Sequence, residues 1–400
     1  MSHPLKIKEF RTYWIGQIIS LTGTWMQHIA QSWLVYIITK SAFYLGLISF
    51  LSSFPTLIFT LFGGVVADRY PRRNILIATQ CLSCLPAIVL GFLIQFDLIN
   101  IWHIAIASVI LGVASAFDMP ARQAFITEIV SPDMITKALA MQSISFNIAR
   151  VAGPILAGFI VTNLNFYACF YLNALSFLPL ILILLNIKTS FVLSSKEDSS
   201  FIKSFKEGFF FLNKNKEILY IIFAVGIFTL FGLSYMTIIP VIAGEILDVG
   251  AKGFGIIVSA IGVGALLAGV IITLKKDIRE KLKYIFKASL LFSFALLGIA
   301  FSEDFYSTIL LNFIIGFALV NFFIISNSFI QQKTEQRLRG RVMSFFTLVF
   351  LGFTPIGNLF TGFLVERFGV KPVVELYSLI CLISGVVFLK ILPSTLSRKQ

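Results

Sequence analysis

The sequence predicts an all-α membrane protein of twelve transmembrane helices in two pseudo-symmetric six-helix bundles. Three observations predict this fold. The 400 residues are 58% hydrophobic and 13% charged, with a mean hydropathy of +0.92, whereas about a quarter of the residues of a soluble domain are charged. Twelve apolar segments are long enough to cross a bilayer. The second half of the chain also repeats the first at an offset of 204 residues.

Each predicted span approaches or exceeds the roughly 20 apolar residues that a transmembrane helix needs. The predicted spans cover residues 12–38, 44–67, 74–96, 101–124, 138–162, 167–187, 217–243, 253–274, 284–302, 305–331, 342–366 and 371–392. The first span is too long and too polar at its start to be a cleaved signal peptide. The connections are short, so we expect no separate soluble domain.

The longest polar connection divides the chain into an N-terminal bundle, 1–187, a cytoplasmic linker, 188–216, and a C-terminal bundle, 217–400. Phenylalanines alternate with lysines in the linker, which predicts an amphipathic helix on the membrane surface. The repeat is clearest where residues 153–161 align with residues 357–365. A constant offset near half the chain length indicates duplicated six-helix units.

The basic residues predict the orientation. With the N-terminus in the cytoplasm, 27 of the 32 Lys and Arg residues fall on the cytoplasmic side, four fall outside, and Arg150 lies within a span. This is the asymmetry of the positive-inside rule. The net charge of +13 therefore reflects topology, and we expect no nucleic-acid partner. We expect a multi-pass protein of the bacterial cytoplasmic (inner) membrane with both termini in the cytoplasm.

The first span carries a polar stripe on one helix face. With intervals of three and four residues, the stripe consists of Gln17, Ser20, Thr24, Gln27 and Gln31, and His28 lies beside it. Polar groups are costly against lipid, so such a face should look into the bundle or a water-filled cavity. We predict a substrate cavity wall. The alternative is that these side chains only form hydrogen bonds between helices.

The fifth span repeats this pattern with Ser143, Asn147, Arg150 and Pro154. We predict that Asn147 and Arg150 line the same cavity, together with aromatic residues such as Tyr235. Since no carboxylate occupies the middle of a predicted span, the charge of Arg150 requires neutral acceptors, cavity water or an electron-rich substrate. The alternative is that Arg150 binds helix carbonyl groups and has a purely structural role.

A charged turn between the second and third spans, residues 64–73, is called the signature loop here. Its charged and glycine positions are Gly64, Asp68, Arg69, Arg72 and Arg73. The pattern resembles the loop between the second and third helices of the major facilitator superfamily of transporters. The family prefers Gly at position 71 and Leu at position 66, where this chain has Pro and Val. The alternative is a positive-inside anchor of any multi-pass protein.

Further stretches resemble one branch of that superfamily. This branch is the transmembrane secretion effector family of drug, macrolide and siderophore exporters, which includes enterobactin exporters. The similar stretches are residues 23–27, 33–36, 116–125, 338–344 and 354–357. The superfamily often carries an arginine partway along the fourth helix, but residues 108–112 contain none here. The Gly153-Pro154 pair with Gly158 resembles the superfamily's antiporter motif, although Ala157 stands where Gly is frequent.

The resemblance implies a conformational latch at the cytoplasmic side. By pseudo-symmetric packing of the two halves, Asp68 is expected to face the start of the eleventh span near Arg341, where a helix N-terminus would stabilise the carboxylate by about 0.3–2 kcal/mol. An arginine of the signature loop is expected to pair with Asp118. These bonds would stabilise the outward-facing state. The alternative is that the arginines only bind phospholipid headgroups.

The sequence contains no zinc-protease, phosphate-binding or nucleophile-elbow motif. We therefore expect no enzyme, no metal and no cofactor. Cys81 and Cys84 are three positions, about one helix turn, apart within a span, and we expect them to serve as small apolar residues. The alternative is a redox motif. Of the three histidines, His28 alone lies well inside a span, and it is a candidate proton carrier. The alternative is an ordinary hydrogen-bonding histidine.

These observations predict a secondary active transporter that works by antiport. It would export amphipathic small molecules of the drug, macrolide or siderophore class by alternating access. We expect a small-molecule substrate, coupling to protons, contact with the phospholipid bilayer and a monomeric state. Alternatives are an importer or lysolipid flippase of the same fold, or a membrane sensor that transports nothing.

The predicted topology can be tested by cysteine labelling in whole cells. A cysteine at position 200 should resist an impermeant maleimide, because the linker is expected in the cytoplasm, whereas Lys252→Cys on the opposite side should react. Ready labelling at position 200 would reverse the assignment.

Overall fold

The computed structural model describes residues 3–187, 201–275 and 280–396, and all regular structure in these residues is helical. The first half contains α1 Lys8–Thr39, α2 Ala42–Arg69, α3 Arg72–Gln95, α4 Ile101–Ile129, α5 Ile135–Asn163 and α6 Phe166–Asn186. The second half contains α7 Phe201–Lys214, α8 Lys216–Ile246, α9 Gly250–Leu274, α10 Lys281–Ala300, α11 Phe305–Lys333, α12 Gln336–Phe368 and α13 Val370–Leu396.

Eleven of the described helices are long and apolar enough to cross a membrane. The twelfth predicted span, α1, has ample length at 32 residues, but its polar stripe makes it less apolar than the others. A buried helix tolerates such a stripe because the polar side chains face neighbouring helices rather than lipid. The prediction of an all-α membrane fold is confirmed. Most helices extend beyond their apolar segments, since a helix continues into the polar interface.

The chain forms two compact units. The first contains α1–α6 together with Asp248–Ser259 at the start of α9, and the second contains α7, α8, the rest of α9 and α10–α13. The predicted boundaries at residues 187 and 217 remain a prediction. In the first unit, α1 packs on α5 and α6, and α3 packs on α4 and α6. In the second unit, α8 packs on α12, and α10 packs on α11 and α13.

Close glycine contacts recur at the repeat offset. In the first unit, a Cβ atom added to Gly112 of α4 would lie 2.4 Å from the Ser52 carbonyl oxygen of α2. In the second unit, a Cβ atom added to Gly316 of α11 would lie 2.0 Å from the Ile261 carbonyl oxygen of α9. These glycines are 204 residues apart, and each allows two helix backbones to touch. The duplicated sequence thus packs in a duplicated way.

The helix α8 is irregular where the sequence predicts an ordinary span. After Lys216–Ile227 it continues as π-helix at Phe228–Gly232 and as 3₁₀-helix at Leu233–Ile238. The irregular stretch includes Pro240, which lacks a backbone N–H group. Buried side chains stabilise it, since the Ser234 hydroxyl donates to the Thr229 carbonyl oxygen at 3.3 Å.

The predicted helix of the linker is present as α7. Its described side chains Phe209 and Phe210 are exposed, as expected for a helix that rests on lipid. Glu207 of α7 forms an ion pair with Arg341 of α12, and the Phe209 ring lies 6.5 Å from the Phe345 ring. The linker helix is therefore attached to the second unit.

Candidate transport site

Most of the polar stripe in α1 is buried between helices. Gln17, Ser20, Gln27 and Gln31 are between 1% and 4% exposed. The Ser20 hydroxyl donates to Gln80 Oε1 of α3 at 2.9 Å. Gln31 Nε2 donates to the Ser108 hydroxyl of α4 at 3.0 Å. These bonds match the alternative of interhelical hydrogen bonding.

The remaining contacts of the stripe lead to the same conclusion. Asn173 of α6 donates its side-chain N–H to Gln27 Oε1 at 2.7 Å. The role of Gln17, Gln27 and Gln31 as cavity-lining residues stays a prediction. In this structure Gln27 and Gln31 hold α1 to its neighbours, because an amide in a membrane interior must find a partner within the protein, whereas the buried Gln17 Oε1 has no hydrogen-bond partner among the described residues.

Two predicted positions in α1 remain accessible. Thr24 is half-buried, and its hydroxyl donates to the Ser20 carbonyl oxygen of the preceding turn at 2.9 Å. His28 is exposed, and nothing in the described part of the chain forms a side-chain hydrogen bond with it. Helix packing does not bury the side chains of Thr24 and His28, so a ligand can reach them.

The helix α5 has two accessible faces. One carries the large apolar side chains Ile144, Ile148, Ile155 and Phe159, and it suits contact with lipid. The other, called the polar face of α5, carries Ser143, Phe146, Asn147 and Arg150. A polar face on a spanning helix avoids lipid and lines an aqueous space.

Arg150 lies near the middle of α5, about 20 Å of helix from either end at 1.5 Å per residue. Its side chain is half-buried and forms no hydrogen bond or ion pair with the residues that the structure describes. The nearby amide of Asn147 instead donates to the Ser143 carbonyl oxygen at 2.8 Å. An arginine at the centre of a spanning helix costs about 2.5–3.5 kcal/mol, so this charge is retained at a cost.

The role of Tyr235 as a cavity aromatic stays a prediction. The side chain is fully buried in the second unit, and its hydroxyl donates to Asn312 Oδ1 at 3.2 Å. Tyr235 lies in the 3₁₀ segment of α8.

The arginines of the signature loop hold the first unit together. Arg72 Nη1 lies 2.6 Å from Glu128 Oε1 of α4, and Arg72 Nε donates to the Ala67 carbonyl oxygen at 3.2 Å. Arg73 Nη1 donates to the Ile187 carbonyl oxygen, just after α6, at 3.0 Å. The loop thus links neighbouring ends of α2, α4 and α6.

Other positions of the loop make no such contacts. Asp68 is half-buried and Arg69 is exposed, and neither side chain has an ion pair within the described residues. An added Cβ atom at Gly64 would meet nothing within 4 Å, whereas one at the neighbouring Gly63 would lie 2.3 Å from the Ala116 carbonyl oxygen. Gly63, which the motif does not single out, is the glycine that helix packing requires.

Asp118 has different partners from those expected. Its carboxylate forms an ion pair with Arg122, four residues later in α4, at 2.6 Å. It also accepts hydrogen bonds of 3.0 Å from Thr79 and Gln80 of α3. The expected pair with an arginine of the signature loop is corrected, because the one-turn spacing brings Arg122 to Asp118 directly.

This charge cluster leaves buried donor and acceptor atoms without partners. Arg122 is 7% exposed. Its Nη1 atom and Glu128 Oε2 have no hydrogen-bond partner among the described residues, whereas the Tyr13 hydroxyl lies against the Arg122 guanidinium. Sequence reasoning missed both Arg122 and Glu128, although the one-turn spacing of Arg122 from Asp118 on α4 was a usable signal.

The Gly-Pro motif of α5 is a close-packing site within the first unit. A Cβ atom added to Gly153 would lie 2.5 Å from Trp25 Cβ of α1. One added to Gly158 would lie 2.9 Å from the Ala251 carbonyl oxygen, and the Pro154 carbonyl oxygen lies 2.3 Å from the Cβ position of Gly255. The small residues therefore let α5 approach two neighbours.

Within the part of the chain that the structure describes, no three His, Cys, Asp or Glu side chains come together as a metal site. All four cysteines are free thiols.

Comparisons with known proteins agree with this architecture. A family model described as transmembrane secretion effector matches residues 2–398. The chain is 26% identical to a staphyloferrin A transporter of Staphylococcus aureus, over 90% of each chain. It is 23% identical to macrolide efflux protein A of Streptococcus pyogenes, over 91% of each chain.

Solved structures share the fold. A bacterial homologue of the iron transporter ferroportin, in an inward-facing state, superposes with a TM-score of 0.75 at 17% identity, covering 96% of this chain and 98% of that one. The nucleoside transporter NupG gives 0.72 at 14% identity, covering 96% and 99%.

The Asp118–Arg122 pair should be essential for stability. Asp118→Asn leaves a buried arginine without its counter-charge, which typically costs about 3–5 kcal/mol. The melting temperature of the purified protein in detergent should therefore fall markedly. Glu280→Gln is the matched control, because its pair with Lys283 is largely exposed and should contribute little. Equal melting temperatures for the two variants would contradict this role.

Proposed function

Because the chain belongs to the transmembrane secretion effector family of the major facilitator superfamily, we propose that it exports amphipathic small molecules across the bacterial cytoplasmic membrane. It is a multi-pass membrane transporter, and we propose that it works by alternating access and proton antiport, as a monomer. The relatives named for staphyloferrin A transport and macrolide efflux support a substrate of the siderophore or macrolide class. We propose that the chain catalyses no reaction.

The observation that carries this proposal is the accessible polar surface within the spans of the first unit. We propose that Thr24, His28, Asn147 and Arg150 contact the substrate. The Trp25 and Phe146 rings, 5.6 Å apart and nearly perpendicular, add apolar surface beside these polar groups. Such a mixture suits amphipathic compounds, since sites for small molecules combine apolar walls with a few polar groups.

Two groups are candidates for proton exchange. His28 is an accessible imidazole within a span, and an imidazole can take up and release a proton. Asp68 is a half-buried carboxylate at the cytoplasmic end of α2. We propose that Asp68 also acts as the conformational latch, through the start of α12 near Arg341. Since Arg341 is already paired with Glu207, the helix N-terminus rather than that guanidinium is the proposed partner.

Everted membrane vesicles test the export proposal. Erythromycin or staphyloferrin A should partly collapse an imposed pH gradient, because antiport consumes it, and empty-vector vesicles should show no change. Accumulation of the compound without collapse would exclude proton antiport. Accumulation only in right-side-out vesicles would indicate import, and no accumulation in either would favour the sensor alternative.

The latch predicts a functional defect without unfolding. Asp68→Asn should leave expression and melting temperature near wild type, but lower the transport rate about two- to thirtyfold, the factor equivalent to a helix-terminus interaction of roughly 0.3–2 kcal/mol. The physical reason is that the interaction belongs to one conformational state, so its loss shifts populations.

Asp97→Asn is the matched control, because it makes the same chemical change just after α3. The signature loop lies before α3, at the other end of the helix, so the Asp97→Asn variant should transport normally. If Asp68→Asn transports as fast as this control, the signature loop is only an anchor.

A further inference from the structure

We infer that the exported compound is an organic anion, and that Arg150 binds its carboxylate or a similar oxyanion. This inference rests on the proposed function and narrows its substrate class. It starts from a full positive charge at the centre of a spanning helix, with no counter-charge in the described protein.

The first step is the direction in which Arg150 points. Arg150 shares the polar face of α5 with Ser143 and Asn147, at intervals of four and three residues. The apolar face of the same helix carries Ile144, Ile148 and Ile155. The two sets lie on different sides of the helix, so the guanidinium is directed away from the lipid-suited surface.

The second step excludes compensation by the protein. Asp118, the carboxylate farthest inside a span among the described residues, is already bound to Arg122, Thr79 and Gln80. The amides that the sequence offered as acceptors form no hydrogen bond with Arg150 among the described residues, and each is held by a different hydrogen bond. Gln27 is bonded to Asn173, Gln31 to Ser108 and Asn147 to a carbonyl oxygen of its own helix.

The third step excludes the structural alternative. An arginine that served only to hold helices together would donate to carbonyl oxygens of α4 or α5, and Arg150 makes no such bond within the described residues. Arg73 shows that arrangement elsewhere, where its guanidinium donates to the Ile187 carbonyl oxygen. Arg150 therefore has its donors available.

The fourth step gives the ligand chemistry. A guanidinium presents planar paired donors that match a carboxylate or phosphate in a bidentate way. An uncompensated positive charge in a low-dielectric region attracts anions and repels cations. The Trp25 and Phe146 rings flank the same region of α1 and α5, so the anion carries an apolar portion as well.

Two xanthene dyes of similar size test this inference on purified protein in lipid nanodiscs. Carboxyfluorescein is anionic and rhodamine 123 is cationic, and fluorescence anisotropy measures the binding of each. The wild-type protein should bind carboxyfluorescein more tightly. Arg150→Gln should weaken that binding about tenfold to hundredfold, the range for a hydrogen-bonded charge, without weakening rhodamine 123. Arg150→Lys should lose less, because it keeps the charge but not the paired donors.

Ile148→Gln is the matched control, because it places the same glutamine on the apolar face of α5, two residues away. It should bind both dyes as the wild type does. Equal carboxyfluorescein affinity in Arg150→Gln and the wild type would overturn the inference, as would a wild-type preference for rhodamine 123.

A second measurement needs no variant. Phenylglyoxal modifies arginines, and mass spectrometry reads the modification at Arg150 itself. Carboxyfluorescein should slow that modification, whereas rhodamine 123 should not, and equal rates with both dyes would reject the site. The outcome is independent of the vesicle experiment. Anion binding without transport would refute export alone, and export of cations alone would refute only this inference.

Discussion

The ion pair between Asp118 and Arg122 shows the constraint on which the rest of the structure depends. In a bilayer core, water does not satisfy polar groups, so each polar side chain needs a partner within the protein. Asp118 accepts from Thr79 and Gln80 as well as from Arg122, and Gln80 in turn accepts from Ser20. One buried charge pair thus joins α1, α3 and α4, and α5 packs on α1 of this group.

The sequence predicts the elements well because membrane helices follow from length and apolar composition. The repeat is equally visible, and Gly112 and Gly316 show that it extends to backbone contacts. Partner identities are less predictable. The periodicity of α1 places Gln27 and Gln31 on one face, but it cannot reveal that Asn173 and Ser108 lie opposite them. The same holds for Tyr235, whose apolar surroundings in the sequence do not reveal Asn312 as the partner of its hydroxyl.

The two halves share a scaffold and differ in polarity at one informative place. The repeat pairs Arg150 of α5 with Thr354 of α12. The hydroxyl of Thr354 has a hydrogen-bond partner within its own helix, because it donates to the Phe350 carbonyl oxygen at 2.7 Å. Arg150 forms no such hydrogen bond with its own helix among the described residues. A duplicated packing arrangement therefore carries a charge in one copy only, and this asymmetry cannot be explained by the packing that both copies share.

The residues of the signature loop fall into two groups, one that binds neighbouring helix ends and one that does not, and the motif alone does not distinguish them. Arg72 and Arg73 bind Glu128 and the carbonyl oxygens of Ala67 and Ile187, all within the first unit. Contacts of this kind, which join helix ends of one rigid unit, need not change during a transport cycle. A conformational role requires groups that are not committed in this way. Asp68 and Arg69 fit that requirement. Any conformational role of the loop would therefore belong to Asp68 and Arg69, whereas Arg72 and Arg73 stabilise the first unit.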